Sequence, residues 1–556
     1  MFKKKRLSKN GFVQGAFIST FGIVISKILG IIYVIPFYAI VKTRGGALYG
    51  YAYTIYSLFL ALSTAGIPLA VSKIISEYQT LGYYKTKVRA FRIARSIAFL
   101  MGVVFFIILF IFAPLVAKLI LGDLTGGNTI EDVTLVIRII DSAILIVPIL
   151  SVYRGYLEGH KYITPSSTSN VIEQIVRVTL IIFGTLLSVK VFHFKLSTTI
   201  GIAVFGATFG AFVSLFYLID VTRKNQSQLS RKIKNVREPK ISNKLIIKKI
   251  LIYAIPFIMI DVFKVMYDFI DMSTVVKTIA SMNTYTLSSA EAIMSIISTW
   301  GSKFYMIISA VATGIMVSLI PNLTESVVKN DKEEISKKIN KTFQILFVFI
   351  IPMVVGLSLL SKPIWMLFYG SSKLGPSVFS YYIYTSFFVC TFTILVTIFQ
   401  VLKDYKTVFI SLVLGALLKA LLNVTLMNSF YNMGLPPYYG NITATIIGYF
   451  SSLIYCLFAL NKKFKINFEV TLKNLVNVIF STLFMIVSIV LLRFVFPQYS
   501  NIRIVNIFII LCYVLIGGIT YFAIIYKTGT LNTVFGKNFL SKVNFKMKKE
   551  FSRSHH

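Results

Sequence analysis

About fourteen stretches of some 20 or more apolar residues follow one another along this chain, and that succession settles the fold class before any single residue is read. The windows run approximately 12–41, 47–76, 91–121, 132–160, 163–190, 198–221, 247–276, 288–320, 341–369, 376–402, 405–432, 439–461, 471–496 and 502–526. A segment in hydrocarbon must satisfy its backbone hydrogen bonds internally, and windows of this length do so as α-helices. The prediction is an all-α polytopic membrane protein. A soluble reading also fails on composition, because 56% of the residues are hydrophobic, above the roughly 45–50% of soluble domains.

The chain carries 57 Lys and Arg against 20 Asp and Glu, a net charge of +37. Those cations gather in alternate connections: Lys3 to Lys9, Lys85 to Arg95, Arg223 to Lys249, Lys329 to Lys341, Lys403 and Lys406, Lys462 to Lys465, and Lys527 to Arg553. The positive-inside rule predicts that this side, with both termini, is cytoplasmic. A nucleic-acid partner would need the cations on a hydrophilic domain; they lie between apolar spans instead, and none is expected. The first apolar run has no small-residue cleavage site behind it, so no removable signal peptide is expected.

The longest basic connection divides six spans from the next six. It predicts an N-terminal lobe over 1–222, a basic cytoplasmic linker over 223–246 and a C-terminal lobe over 247–461. Residues 462–526 hold the last two spans, and 527–556 form a basic cytoplasmic tail. A weak repeat supports two lobes: Ala65-Gly-Ile-Pro to Glu77, then a basic turn to Arg95, resembles Thr313-Gly-Ile to Glu325, then a charged turn to Lys341. Both copies run the same way, which predicts lobes related by a pseudo-two-fold axis along the membrane normal.

Cys390, Cys456 and Cys512 lie inside spans without CxxC spacing, and His160, His193, His555 and His556 have no ligand spacing, so neither a disulfide framework nor a metal site is expected. No Walker A motif, Rossmann fingerprint or nucleophile–base pair occurs. The chain is not expected to be an enzyme or to hold a cofactor. Energy for transport would come from the membrane potential, Na+ or H+, or the substrate's own gradient.

Charges inside the spans mark the interior, because an ammonium at mid-bilayer costs about 2.5–3.5 kcal/mol on insertion scales. Lys27 in the first span and Lys303 in the eighth have no acid one turn away, and both are predicted to line a cavity. Asp261, Lys264, Asp268 and Asp271 of the seventh span fall within roughly 80° of arc, so one face is charged and turned from lipid. Glu173 and Arg177 form an i, i+4 pair, readable as structural neutralisation or as part of the cavity; Lys264 with Asp268 and Arg138 with Asp141 are further local pairs. Lys419 reads as an interface or packing residue.

Small residues accompany these charges. Ser19, Gly22, Ser26 and Gly30, and Ser295, Ser298, Thr299 and Ser302, form stripes that mean close helix packing. The tract 42–53, Lys-Thr-Arg-Gly-Gly-Ala-Leu-Tyr-Gly-Tyr-Ala-Tyr, joins the first two spans. Lys42 and Arg44 can hold a phosphate while Gly45 and Gly46 allow a tight turn; the alternative is a simple outer hairpin with aromatic anchors.

Three tracts then carry a resemblance. Ser26-Lys-Ile-Leu-Gly-Ile-Ile-Tyr, Gly46-Ala-Leu-Tyr-Gly-Tyr-Ala-Tyr and Ser63-Thr-Ala-Gly-Ile-Pro-Leu-Ala-Val-Ser-Lys-Ile-Ile-Ser-Glu resemble the polysaccharide-biosynthesis and spore-cortex branch of the multidrug/oligosaccharidyl-lipid/polysaccharide exporter superfamily. With the twelve-plus-two layout, the whole chain is similar to the MurJ-type lipid II flippases of that branch. The resemblance implies two six-helix lobes around a cavity open alternately to either side, with the last two helices forming a groove for a polyprenyl tail. It places a cavity cation at Lys27; a second family arginine falls at Tyr33 here, leaving Lys264 or Lys303 to compensate.

The expected function is translocation of undecaprenyl-diphosphate-linked peptidoglycan precursor across the bacterial cytoplasmic membrane. A diphosphate cannot cross hydrocarbon unpaired, and lysines in a wet cavity replace its hydration with charge-assisted hydrogen bonds. Lys27, Lys264, Lys303 and Arg44 are the candidate diphosphate ligands, and Asp261, Asp268, Asp271, Glu173 and Arg177 the candidates for charge balance or ion coupling. Lipid-linked glycan, membrane lipids and cell-wall synthesis proteins are the expected partners. The alternatives are a flippase for another lipid-linked polysaccharide, an ion-coupled multidrug exporter, which the seventh-span acids favour and the lysines oppose, and a scaffold docking through the basic segment 223–249.

Overall fold

The computed structural model describes residues 22, 25–26, 29–30, 33–64, 66–122, 127–229 and 238–535. Lys27, most of the first predicted span, residues 230–237 of the linker and the tail from 536 onward lie outside them. Every regular element is helical, with no strand among the described residues. Eleven helices among those residues are long and apolar enough to cross a membrane by length and composition. They coincide with the predicted second to sixth and ninth to fourteenth spans, and the seventh and eighth fall on Asn243–Ala280 and the broken helix between Leu287 and Val328.

The described chain forms two compact units, 1–306 with 408–448, and 307–407 with 449–556. The first opens with α1 (Val34–Thr64), interrupted at Lys42 by a left-handed φ of 50°. Gly66, at φ 72°, and Pro68 at the first turn then start α2 (Ile67–Thr80). These two residues explain the Gly-Ile-Pro signature: glycine supplies the reversal and proline fits where no helical N–H is needed. After α3 (Tyr84–Leu121), a capping box between Thr129 and Asp132 starts α4 (Ile130–Asp141), and a 3₁₀ turn over Ser142–Leu145 leads into α5 (Val147–Gly159). α6 (Ile163–Thr179) runs through a π-turn at Leu180–Gly184 into α7 (Thr185–Lys190), and α8 (Leu196–Lys224) packs back on α6.

The packing is that of helices in lipid, small residues inside and large ones outside. On α3, Ala90, Ala94, Ala98, Gly102, Ala113 and Ala117 are buried, while Phe99, Leu100, Ile111 and Leu115 are exposed on the opposite face. Likewise α8 buries Gly206 and Gly210 and exposes Phe205, Phe209 and Phe216. A Cβ on Gly210 would stand 2.6 Å from the Glu173 carbonyl oxygen, so that glycine sets how near α8 comes to α6.

The short α9 (Gln226–Leu229) and the residues leading into α10 (Asn243–Ala280) fold onto the turn between α2 and α3. Buried Lys87 donates to Gln79 Oε1 at 2.6 Å and to the Leu229 carbonyl at 2.7 Å, and Arg89 donates to the Ile241 carbonyl. Glu238 accepts from the amides of Lys85 and Thr86 at 2.8 and 3.0 Å. Desolvation raises the Glu238 pKa, and the hydrogen bonds from Lys85 and Thr86 together outweigh it and hold the carboxyl below its ordinary range. Lys249 pairs with Glu77 at 2.5 Å. The linker's described ends are thus tied down by specific side chains.

α11 (Leu287–Ser295) passes through a second π-turn, Ile296–Trp300, into α12 (Ser302–Val328). In the second unit, α13 (Lys332–Leu359) is followed by α14 (Ser361–Tyr369), α15 (Leu374–Tyr382) and α16 (Thr385–Val401). The Asp331 cap starts α13 nine residues before the predicted ninth span, so the charged turn is its first part. α17 (Tyr405–Asn432), from residue 408, and the first part of α18 (Pro437–Phe464), to residue 448, belong to the first unit; the rest of α18, α19 (Glu469–Val495) and α20 (Arg503–Lys527) belong to the second. The last two are fastened to α13: Gln344 donates to Thr471 at 3.2 Å, Thr471 to Asn340 at 2.6 Å, and Tyr521 to the Val348 carbonyl at 2.7 Å.

Candidate functional site

A polar cavity of about 550 Å³ lies within the first unit, among α1, α5, α6, α10 and the start of α12. Three cations, Arg154, Arg177 and Lys303, and two carboxylates, Glu173 and Asp268, line it, with the amides of Asn170 and Gln174 between them. Ser26, Gly30 and Tyr33 bring the first predicted span to the same wall.

Lys303 follows directly on the second π-turn, a local widening that re-aims the residues after it. Its ammonium donates to Tyr33 Oη at 3.0 Å, and that hydroxyl lies 3.4 Å from Tyr49 Oη. Tyr53 extends the aromatic wall, its ring 4.4 Å from that of Tyr49. The backbone here is set by close contact with α1. A Cβ on Gly46 would sit 2.3 Å from Trp300 Nε1, and one on Gly50 2.5 Å from Ser298 Oγ. Thr299 Oγ1 donates to the Gly46 carbonyl at 2.9 Å. Gly46 and Gly50, one turn apart, form the flat strip on which the π-turn rests.

On the facing wall, Glu173 sits between two guanidinium groups, accepting from Arg154 at 2.8 Å and from Arg177. Arg154 is fixed by Ser169 Oγ at 2.9 Å and Ser214 Oγ at 3.3 Å. The Arg177 Nε is buried with no hydrogen-bond partner among the described residues. The triad, two guanidinium groups on one carboxylate, keeps a net positive charge beside the cavity. Asp268, exposed on α10, adds one acceptor.

Of the residues named from sequence, Lys303, Asp268, Glu173 and Arg177 converge on this cavity, whereas Lys27 lies outside the described residues. Lys264 pairs with Asp261 at 3.6 Å instead of with Asp268, and neither lines the cavity. Asp268 is turned to the cavity wall, so the i, i+3 partner is the one left within reach. Asp271 is held in a buried pair with Lys419, at 2.7 Å to Oδ1 and 2.8 Å to Oδ2. Asn441 and Asn423 also donate to Asp271. Lys419, read as interface or packing, is fully buried and packs as an ion-pair partner. Arg44 donates to the Gly127 carbonyl at 2.6 Å and Asn128 Oδ1 at 3.3 Å, and Asn128 in turn holds buried Glu291.

Two further local expectations give way. Gly45 and Gly46 are in the α1 helix, and the turn expected there is confined to Lys42; the glycines serve helix packing instead. Arg138 lies over the Phe110 ring at 4.8 Å and not against Asp141, whose buried carboxylate oxygens have no partner among the described residues. Arg154 was absent from the sequence-derived set. It stands six residues before the end of its window, where an arginine ordinarily snorkels, and Glu158 at i+4 on its own helix reads as a local partner, so the sequence carried no signal that it turns to Glu173 instead.

The sequence pattern of the family described as "Polysaccharide biosynthesis protein" matches residues 12–327. Lipid II flippase MurJ of Bacillus subtilis (strain 168) is 32% identical over 534 residues, covering 94% of this chain and 97% of that protein. A solved structure of lipid II flippase MurJ in an inward closed conformation superposes with a TM-score of 0.68 at 19% identity, covering 93% of this chain and 99% of that one. An outward-facing multidrug resistance MATE family transporter of the MOP superfamily gives 0.56 at 12% identity, over 83% and 98%. At those identities the two structural matches speak to the fold.

Proposed function

The chain belongs to the polysaccharide biosynthesis protein family and, within it, to the MurJ-type lipid II flippases, and from that premise we propose that it translocates undecaprenyl-diphosphate-linked peptidoglycan precursor across the bacterial cytoplasmic membrane by alternating access. The observation that carries this reading is the cation excess of the cavity, three against two carboxylates among the described residues, where Lys303 bonds to a neutral hydroxyl. A diphosphate offers that ammonium an ionised acceptor in place of a neutral one, and the Arg177 guanidinium adds positive charge to the same lining.

In this reading Lys303 and Arg177 hold the diphosphate, Lys27 adds a further cation, and Arg154 fixes Glu173 so that the triad does not collapse inward. Asp268 balances the cavity and is the candidate for coupling to Na+, H+ or the membrane potential. Both termini lie in the cytoplasm, following the alternation of basic connections. Lys264 and Arg44, bonded elsewhere, take no part in binding at this cavity.

The test is lipid II translocation in cells depleted of their own flippase and expressing Lys303→Gln or Arg177→Gln at wild-type membrane levels. Loss of translocation is expected; wild-type translocation by both variants would overturn the assignment. Native mass spectrometry against a panel of undecaprenyl-diphosphate glycans identifies the cargo. Preference for a non-peptidoglycan glycan would replace the substrate while leaving the chemistry.

A further inference from the structure

We propose that the second unit carries a separate site for the phosphate of an anionic lipid, formed by Lys362, Lys373, Arg493 and Arg503 around two adjoining cavities where α14 packs on α20. One cavity, of about 250 Å³, is lined by Lys362 and Arg493 with Gln498 and Tyr513. The other, of about 550 Å³, shares Lys362 and is lined by Lys373 and the first turn of α15. Arg503 closes its rim, with Nη2 3.2 Å from where a Cβ on Gly370 would be. Arg493 is held in place by donating to the Leu359 carbonyl at 2.6 Å, while Lys362, Lys373 and Arg503 are exposed.

Among the described residues of this unit no carboxylate pairs with any of these four charges. No Asp or Glu occurs between residues 335 and 403 or between 470 and 549. The nearest acids along the same helices are Glu334, at the start of α13, and Glu469, at the start of α19. The 28 residues of α13 separate its two ends by about 42 Å at 1.5 Å per residue, several times the roughly 8–10 Å Debye length. The counter-charge must come from outside the chain, and the α15 N-terminus adds oriented N–H groups for an oxyanion.

The surroundings choose the source. Phe494 and Val495, next to Arg493, are 83% and 88% exposed, and Ile502 and Ile504, flanking Arg503, are 64% and 67% exposed. A ligand with a phosphate in the cavities and hydrocarbon along these side chains matches both features; inorganic phosphate matches one. The site shares no residue with the central cavity and stands independently of the cargo assigned there.

The experiment uses the full chain in detergent and native mass spectrometry with dioleoyl phosphatidylglycerol, dioleoylglycerol and inorganic pyrophosphate. Wild type should retain phosphatidylglycerol, not dioleoylglycerol, and pyrophosphate should compete poorly. Lys362→Gln with Lys373→Gln, both exposed, should weaken retention by about tenfold or more, and Lys362→Glu should abolish it with an unchanged unfolding midpoint. Lys303→Gln should bind phosphatidylglycerol as wild type does, which separates this site from the cavity. Unchanged retention in the double variant would overturn the site; full competition by pyrophosphate would overturn the lipid as its ligand.

Discussion

Replacing Lys419 by Met removes one half of a buried ion pair and leaves Asp271, 8% exposed at its side chain, charged with only the neutral amides of Asn423 and Asn441 donating to it among the described residues. The ammonium contributes two contacts to the carboxylate, at 2.7 and 2.8 Å, and one to Thr445 Oγ1 at 2.5 Å. Breaking such a pair by removing one partner costs about 3–5 kcal/mol, whereas replacing both by apolar residues is near neutral. In a micelle the separated helices find other polar partners, which moves the cost towards the lower figure. At about 1.4 kcal/mol per decade, Lys419→Met should shift the folded-to-unfolded ratio by two decades or more. The double variant Lys419→Met, Asp271→Leu should recover most of that loss. The remaining polar groups still satisfy one another, Asn441 donating to Asn423 at 3.0 Å and Asn423 to Thr274 Oγ1 at 2.7 Å. Unfolding in mixed micelles with Trp365 replaced by Phe leaves Trp300, buried in the first unit, as the single fluorescent probe. The reasoning is refuted if the double variant loses the sum of the two singles, since that would mean the pair is not energetically coupled.

Gly46→Ala drives a methyl into the Trp300 ring, an overpacking worth about 1–3 kcal/mol, and is expected to lower translocation with the unfolding midpoint; unchanged transport would show that the π-turn does not depend on this contact. For Glu238, a depressed folded pKa means that its tie to Lys85 and Thr86 is complete above the ordinary carboxylate range and is lost as pH falls through the lowered value. Hydrogen exchange at those two amides should therefore speed up in acid, and Glu238→Gln should show the faster exchange already at neutral pH; equal protection in the variant would assign the tie to Arg89 instead.

The fold was legible because hydropathy over 20 residues has one physical solution in hydrocarbon. Part of the cavity was legible for the same reason: Lys303 stands alone in its apolar window, and Asp268 belongs to a charged face that cannot meet lipid. What failed to show was pairing across the sequence. Asp271 and Lys419 are 148 residues apart, and nothing in the helical period announces that they meet. Period alone also cannot choose between Asp261 and Asp268 as the partner of Lys264, since i, i+3 and i, i+4 neighbours are equally near. Gly45 and Gly46 were ambiguous in a different way: a glycine pair reads as a turn in a loop and as a packing strip in a helix, and the Trp300 ring against Gly46 decides.

The distribution of partners then argues for where cargo binds. In the first unit several acid side chains within the helices have partners: Glu173 two arginines, Asp271 Lys419, Glu291 Asn128, and Asp261 Lys264. Displacing Lys419 or Lys264 towards a phosphate strands a carboxylate at a cost of the same order as the gain, whereas Arg177 can turn to one because Arg154 keeps Glu173 paired. Lys303 differs, because its partner is the neutral hydroxyl of Tyr33, which turns to Tyr49 when released. Transferring the ammonium from hydroxyl to diphosphate breaks one neutral-acceptor bond and makes a stronger charged one, and the step reverses when the cargo leaves. A site that must bind and let go on every cycle is better built on such an exchange than on a salt bridge that has to be broken first.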